Sequence, residues 1–132
     1  MSMHEDRFLI RVSVSGDTEA VPVPAGAVPQ EILCTLLQTD VTERLRLSET
    51  PEMRDASAVL CYLIDARGGD RGLPVNPVGT CFYHTGCPVF GDLLIGSCMQ
   101  EHAAAAVFGF SAADRDLLLQ WLTEQFPFCH AD

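Results

Sequence analysis

The chain has 132 residues, of which 48% are apolar and 20% are charged, a balance typical of one packed globular domain that excludes an extended disordered chain. Its 18 acidic residues outnumber its 8 basic ones, and the net charge of −10 argues against direct binding to nucleic-acid phosphates or to anionic membranes. All the basic residues are arginine, so the chain has no lysine for Schiff-base chemistry.

A secretory signal begins with cationic residues followed by a long apolar stretch, and the first residues of this chain do not show that pattern. The longest fully apolar runs are about seven residues, well short of the roughly 20 that a membrane-spanning helix needs. We therefore expect a cytoplasmic protein, with a single domain over residues 1–132 and no membrane contact. In that compartment the six cysteines are expected to be reduced thiols. Cys34, Cys61 and Cys98 lie inside apolar segments and are expected to be small core residues.

The chain begins with a predicted hairpin. Apolar residues alternate with others over residues 8–14 and predict a first strand with four apolar side chains on one face. Turn residues follow, and residues 19–24 are predicted to return as the second strand. Pro22 and Pro24 have no backbone N–H to donate, so this strand is expected to be short or to lie at a sheet edge.

The apolar pattern then changes to a helical period. Residues 28–39 carry one apolar stripe and predict a helix with Pro29 in its first turn. Residues 41–47 alternate again, and they predict a strand whose polar face carries Arg44 and Arg46.

The middle of the chain is rich in predicted strands. Residues 58–64 are apolar at every position, which is typical of a central strand covered on both faces. They lead into a segment at 65–72 with turn residues at nearly every position. Further strands are predicted at 79–84, 89–98 and 105–110.

The last helix has the clearest start of any element. Ser111 and Asp114 form a pair that resembles a capping box, an apolar stripe follows, and Pro127 ends the helix. Because few helices separate the strands, the order of elements predicts an α+β fold: a single domain with a mostly antiparallel β-sheet and two packed helices.

Three short motifs resemble a known family. They are R-G-L-P-V-N at residues 71–76, G-D-L-L-I-G-S at 91–97 and F-S-A-A-D at 110–114. Over about residues 19–128 the chain resembles a domain-of-unknown-function family, number thirty-eight forty-six, met mostly in bacteriophages, plasmids and gut bacterial genomes. Pro77 departs from the pattern, because members often carry a basic residue there. The family has no established activity, so the resemblance implies a mobile-element setting and transfers no catalytic residues.

Cysteine and histidine concentrate in one short stretch. Cys81, His84 and Cys87 carry the ligand types that tetrahedral zinc prefers, although their spacing is not that of a paired zinc knuckle. A strand there would also point Cys81 and His84 to opposite faces. Cys87 with His84, or Cys129 with His130, offers a thiolate beside an imidazole. We expect no cofactor. Zinc or a thiol nucleophile at these residues is the alternative, and the structural interpretation is buried thiols with a turn histidine.

The turn at residues 67–72 combines glycines with two arginines. Glycine exposes backbone amides, and guanidinium groups bind phosphate or carboxylate, so the turn predicts a site for a small anion or nucleotide. It lacks the Walker and dinucleotide-binding patterns, and a plain hairpin turn is the structural alternative. The predicted ligand-binding residues are Arg44, Arg46, Arg67, Gly68, Gly69 and Arg71.

The C-terminal third is the most acidic part of the chain, with six acidic residues and one basic residue over 92–132. Asp114, Asp116 and Glu124 are predicted on the exposed face of the last helix, where they are expected to contact a basic surface of a partner. The structural alternative is a solvated helix face.

Three functions follow from these observations. The first is a non-catalytic, acidic interaction protein of phage or mobile-element type, which binds and modulates or inhibits a host nucleic-acid-handling or defence protein. The second is a protein that binds a small anion or nucleotide, and the third is a thiol or zinc-dependent enzyme. An edge strand near the prolines also makes a homodimer compatible with each of them.

Overall fold

The computed structural model describes residues 7–45, 59–82, 87–98, 106–126 and 130–131. The strands are β1 (Arg7–Val12), β2 (Asp17–Val23), β3 (Thr42–Leu45), β4 (Val59–Asp65), β5 (Leu93–Cys98) and β6 (His130–Ala131). The helices are α1 (Gln30–Leu37), α2 (Pro77–Phe82) and α3 (Ala112–Gln125).

The strands form one sheet in the order β3-β4-β5-β1-β2-β6. Every neighbouring pair is antiparallel except β2 and β6, which run parallel over two residues each. Two longer helices pack on this sheet, and a short third helix, α2, was not expected. The predicted α+β fold with a mostly antiparallel sheet is therefore confirmed.

The apolar core has two parts, one on each face of the sheet. The part on the α1 side includes Leu9, Leu33, Leu37, Cys61 and Leu94. The part on the α3 side includes Ile10, Tyr62, Ile95, Leu118 and Leu122. Burying each such leucine or isoleucine contributes about 1.5–3 kcal/mol, so the sheet is stabilised from both sides.

This double cover explains the apolar run of β4, whose central position is confirmed. It also changes the interpretation of β1. The sequence predicts one apolar face for this strand, whereas the structure buries Leu9 on the α1 side and Ile10 with Val12 on the α3 side. An alternating pattern predicts one solvent-facing side, but a strand covered on both faces has none.

The predicted hairpin of β1 and β2 is confirmed, with Pro22 opposite Phe8. Strand β6 pairs only with Asp17 and Thr18, so the proline-bearing part of β2 lies at an edge of the described sheet, as expected from its missing N–H donors.

Helix α1 is also confirmed, although Pro29 precedes its first residue as the N-cap. The helix ends at Leu37, and its C-cap is Gln38, whose φ of 55° lies in the left-handed region. There the N–H of Gln38 donates to the Thr35 carbonyl at 3.2 Å, and the N–H of Thr39 donates to Cys34 at 2.9 Å. This tight ending turns the chain at once into β3.

The strand predicted at residues 79–84 is wrong, because residues 77–82 form helix α2. The Asn76 side chain accepts a hydrogen bond from the N–H of Gly79 at 3.1 Å, as an N-cap does, and Pro77 occupies the first helical position. A side chain at Gly79 would place a Cβ 2.9 Å from Val89, so glycine lets the helix lie directly on that residue.

The strands predicted at 89–98 and 105–110 are only partly present. Strand β5 begins at Leu93, and the residues before it make a single bridge between Phe90 and Val75. Residues 106–110 form no strand of their own. Phe110 makes an isolated bridge to Phe8, and Phe108 makes isolated bridges to Ala27 and Ser97. Residues 48–55, where Pro51 and several acidic side chains predict a solvated loop, lie outside the described residues.

Helix α3 begins as predicted. The Ser111 hydroxyl accepts a hydrogen bond from the N–H of Asp114 at 3.3 Å, and the helix ends at Gln125, two residues before Pro127. Within the described ranges, none of the helices has the length and apolar character needed to cross a membrane.

Candidate functional site

A polar network joins the end of β4 to the end of α1. Asp65 is only 3% exposed and accepts hydrogen bonds from the Thr39 hydroxyl at 2.9 Å and from the N–H of Arg67 at 2.8 Å. It also forms an ion pair with Arg71. The Arg71 guanidinium donates in addition to the Gln38 carbonyl at 3.1 Å. These contacts hold the turn after β4 against the last turn of α1.

The network sets the ionisation of Asp65. Burial alone raises the pKa of this carboxyl group, but the N–H of Arg67, the Thr39 hydroxyl and the Arg71 guanidinium all favour the carboxylate. These three interactions outweigh the effect of burial, so the pKa of Asp65 is lower than its ordinary value. The group is therefore a carboxylate at neutral pH, which matches its structural role.

A surface groove of about 440 Å³ lies between these two segments. Its volume falls within the range of small-molecule sites. The groove is lined by Cys34, Thr35, Gln38, Thr39, Asp40, Arg67 and Arg71. The structure thus brings together Arg67 and Arg71, two of the predicted ligand-binding residues, and adds an unexpected wall from α1.

Two glycine amides of the turn are not available for the cradle of free amides that the sequence suggested. The N–H of Gly68 donates to the Asp65 carbonyl at 3.1 Å, and the N–H of Gly72 donates to Gly69 at 3.1 Å. A Cβ at Gly68 would lie 2.9 Å from the Phe90 carbonyl, so this glycine is required by close packing. These two amides are hydrogen-bonded within the turn, so a ligand would contact the side chains of the turn instead.

The predicted arginines also separate. Arg44 is not among the groove-lining residues; it lies on β3, close enough to Cys61 for its charge to oppose the rise in that thiol's pKa. Arg46 lies outside the described residues. The charge of Arg71 is balanced by Asp65, which leaves Arg67 and the acidic Asp40 as the two remaining charges of the groove. The groove therefore carries mixed charge, whereas the sequence suggested a purely cationic one.

The candidate metal ligands are placed only in part. Cys81 on α2 and Cys87 after it are both exposed, while His84 lies outside the described residues. Across the ranges that the structure describes, no group of three or more His, Cys, Asp or Glu side chains is arranged to hold a metal ion. Zinc at Cys81, His84 and Cys87 stays a prediction.

Two other cysteines form a buried pair. Cys61 on β4 and Cys98 on β5 are 3% and 1% exposed, and their thiols are hydrogen-bonded to each other. This hydrogen bond and burial raise the pKa of the Cys61 thiol, so the thiolate is strongly disfavoured. The prediction of core thiols is confirmed for both of these residues, whereas Cys34, for which the same was predicted, is only half-buried and lines the groove.

We expect alkylation to separate the cysteines by their exposure. With iodoacetamide near pH 8, Cys81 and Cys87 are expected to react at least 100-fold faster than Cys61 and Cys98, on the order of the suppression that closed cores impose. Peptide mapping by mass spectrometry in buffer and in denaturant measures this ratio. Labelling of Cys61 at the rate of Cys81 in buffer would contradict the buried pair.

The same experiment tests the thiol-enzyme alternative, with Cys81 as the matched exposed control for Cys87. A Cys87 that reacts many times faster than Cys81 at neutral pH would support an activated nucleophile. Equal rates would argue against one. Cys129 and the side chain of His130 lie outside the described residues, so their pairing stays a prediction.

The acidic face of α3 differs from the expectation at one residue. Asp116 and Glu124 are exposed, but Asp114 is only 4% exposed, so its placement on the exposed face was wrong. Asp114 precedes the buried Leu118 and Leu122 by four and eight positions, which puts all three on one helix face. That spacing predicts a buried face, whereas an acidic residue in the first turn of a helix is typical of an exposed capping residue.

Sequence reasoning missed one further polar residue. Asn76 has no solvent exposure, and its amide donates to the Val12 carbonyl and to the Gly91 carbonyl, each at 3.0 Å. It closes the R-G-L-P-V-N motif, so this part of the motif has a structural role. An Asn directly before a Pro was the available sign of a helix N-cap.

No protein-family model, no curated protein and no solved structure matches this chain. The resemblance of residues 19–128 to the family of unknown function therefore remains a prediction that depends on its three motifs.

Proposed function

We propose that the protein acts by stoichiometric binding to a basic surface of a host protein, without catalysing a reaction. In this proposal it belongs to a phage or another mobile element and works in the host cytoplasm. Its partner is a nucleic-acid-handling or defence protein, which it modulates or inhibits. The observation that carries the proposal is the imbalance of charge on the described surface.

Acidic side chains dominate that surface. Two arginines, Arg67 and Arg71, are exposed among the described residues. The exposed acidic residues in the same ranges are Asp17, Glu31, Asp40, Glu43, Asp70, Asp116 and Glu124. A body with this balance attracts cationic surfaces over a Debye length, about 8 Å at physiological salt.

Two of the described arginines are also neutralised by acids of the same chain. Arg11 pairs with Glu19 at 2.5 Å, and Arg71 pairs with the buried Asp65. Each of these cations therefore adds little to the field outside the protein, while the unpaired carboxylates act in full. This pattern favours a basic partner over an acidic one.

Helix α3 offers the best-ordered part of the acidic surface. Asp116, Gln120 and Glu124 recur every four residues on its solvent side, and the Gln120 amide donates to Glu124 at 3.0 Å. The two carboxylates are separated by about 12 Å along the helix axis. Arg115 pairs with Asp116 at 2.9 Å and offsets part of its charge, so Glu124 is the unpaired carboxylate of the stripe. The Arg115 guanidinium also lies 4.3 Å from the centre of the Phe8 ring, which fixes this end of the stripe.

The test compares two double variants of equal charge. Asp116→Asn with Glu124→Gln removes the α3 stripe, and Glu31→Gln with Glu43→Gln removes two exposed carboxylates elsewhere. Each protein is immobilised and exposed to host-cell extract, and retained proteins are quantified by mass spectrometry. We expect the wild type and the control to retain the same basic protein, and the α3 variant to bind it about tenfold more weakly, which corresponds to about 1.4 kcal/mol.

Two results would overturn this proposal. One is that the wild type retains nothing above empty beads. The other is that the α3 variant retains the same protein as well as the Glu31/Glu43 control does.

A further inference from the structure

The groove beside α1 has walls that are fixed before any ligand arrives. Asp65 holds Thr39 on one side and the backbone of Arg67 on the other, and Arg71 spans from Asp65 to the Gln38 carbonyl. A site whose walls are already held by hydrogen bonds binds a ligand with less loss of conformational entropy.

Two opposite charges face this groove and do not meet. Arg67 and Asp40 both line it and both are exposed. Among the described residues, neither side chain takes part in an ion pair, and they do not pair with each other. A gap wider than an ion pair therefore separates a solvated guanidinium from a solvated carboxylate.

The balance of charge argues against a simple anion in this groove. A phosphate would gain Arg67, but it would also meet the Asp40 carboxylate, and Arg71 is already neutralised by Asp65. A ligand that carries both charges satisfies the two sides at once.

We propose that the groove binds a small zwitterion of amino-acid or dipeptide size. Its carboxylate contacts the Arg67 guanidinium in a charge-assisted hydrogen bond, and its ammonium group contacts the Asp40 carboxylate. A volume of about 440 Å³ accommodates either size. The site is independent of the α3 surface, because α1 and α3 pack on opposite faces of the sheet.

The experiment is a titration followed by ¹H–¹⁵N correlation NMR of the whole chain. The probes are L-alanine and L-alanyl-L-alanine, each compared with its N-acetyl derivative, which lacks the ammonium group, and its amide, which lacks the carboxylate. We expect saturable shifts at residues 34–40 and 67–71 with at least one zwitterion. Each singly charged derivative is expected to bind at least fivefold more weakly.

Variants assign the contacts. We expect binding to weaken at least fivefold in Arg67→Gln and in Asp40→Asn. The controls Arg115→Gln and Glu43→Gln make the same changes of charge away from the groove, and we expect them to leave the affinity unchanged. The spectrum of each variant shows at the same time whether it is folded. The proposal is overturned if neither zwitterion shifts the groove signals up to about 50 mM, a concentration well above a millimolar Kd. It is also overturned if the derivatives bind as well as the parents, or if both groove variants keep full affinity.

Discussion

Replacing Asn76 with alanine is expected to lower the free energy of unfolding by about 3–5 kcal/mol. The side chain is fully buried and makes three hydrogen bonds, two as a donor to the carbonyls of Val12 and Gly91 and one as an acceptor from the N–H of Gly79. Its removal leaves three buried backbone groups without this partner, at a cost of about 1–3 kcal/mol each where no water replaces it. Urea denaturation followed by the fluorescence of Trp121, the single tryptophan, measures the loss.

Two further variants make this result specific. Asn76→Asp keeps an oxygen for Gly79 but loses both donors, so we expect it to be destabilised nearly as much as the alanine variant. Gln120→Ala removes an exposed amide from α3 and is expected to cost less than about 0.5 kcal/mol. An Asn76→Ala protein as stable as the Gln120→Ala protein would contradict the assigned role.

Replacing Asp65 with asparagine is expected to destabilise the protein by about 2–3 kcal/mol at pH 7. The change removes a buried carboxylate that accepts from Thr39 and Arg67 and pairs with Arg71. Hydrogen bonds to a charged group contribute about 1.5–3 kcal/mol, and the exposed side of Arg71 reduces the loss because water solvates its freed charge. The matched control is Glu19→Gln, which breaks the exposed pair with Arg11 and is expected to cost less than about 1 kcal/mol.

The effect of Asp65 has a defined dependence on pH. Its pKa is lower in the folded protein than the ordinary value of 3.8, so the folded state holds this proton less tightly than the unfolded state does. The stabilisation is complete above the unfolded pKa and is lost as the pH falls through the folded one. The difference between wild type and Asp65→Asn should therefore be constant near neutrality and shrink below about pH 4. A difference that grows in acid would contradict the lowered pKa.

Elements with long, regular patterns were predictable from the sequence. The apolar stripe of α1 and the continuous apolar run of β4 were long enough to indicate a helix and a buried strand. The start of α3 was marked by its Ser111 cap. Pro22 placed its part of β2 at an edge, because proline has no N–H to donate to a further strand. For these parts local chemistry and the global fold agree.

Helix α2 was missed because it is short. Six residues do not distinguish a helical period from an alternating one, and its apolar residues suited either structure. The decisive features were Asn76 and Pro77 at its start, which specify a helix N-cap and first turn. A turn of α-helix can thus depend more on its cap than on its own residues.

The candidate groove was only half predictable. The Arg67 and Arg71 side chains stood out in the sequence as a pair, but nothing local showed that Asp65 neutralises one of them. Thr39 reaches Asp65 from 26 positions away along the chain, and Asp40 enters the groove with it. Contacts across such separations depend on the packing of α1 beside β4, which sequence patterns do not determine.

The most direct test of the account is the salt dependence of binding between this protein and the basic protein that it retains from host extract. We predict a stoichiometric complex whose affinity falls at least tenfold between about 0.05 M and about 0.5 M NaCl, because the attraction between exposed charges is screened. The Asp116→Asn and Glu124→Gln double variant should bind more weakly at low salt and show a smaller dependence. An affinity that is indifferent to salt, in both the wild type and this variant, would contradict binding through an acidic surface.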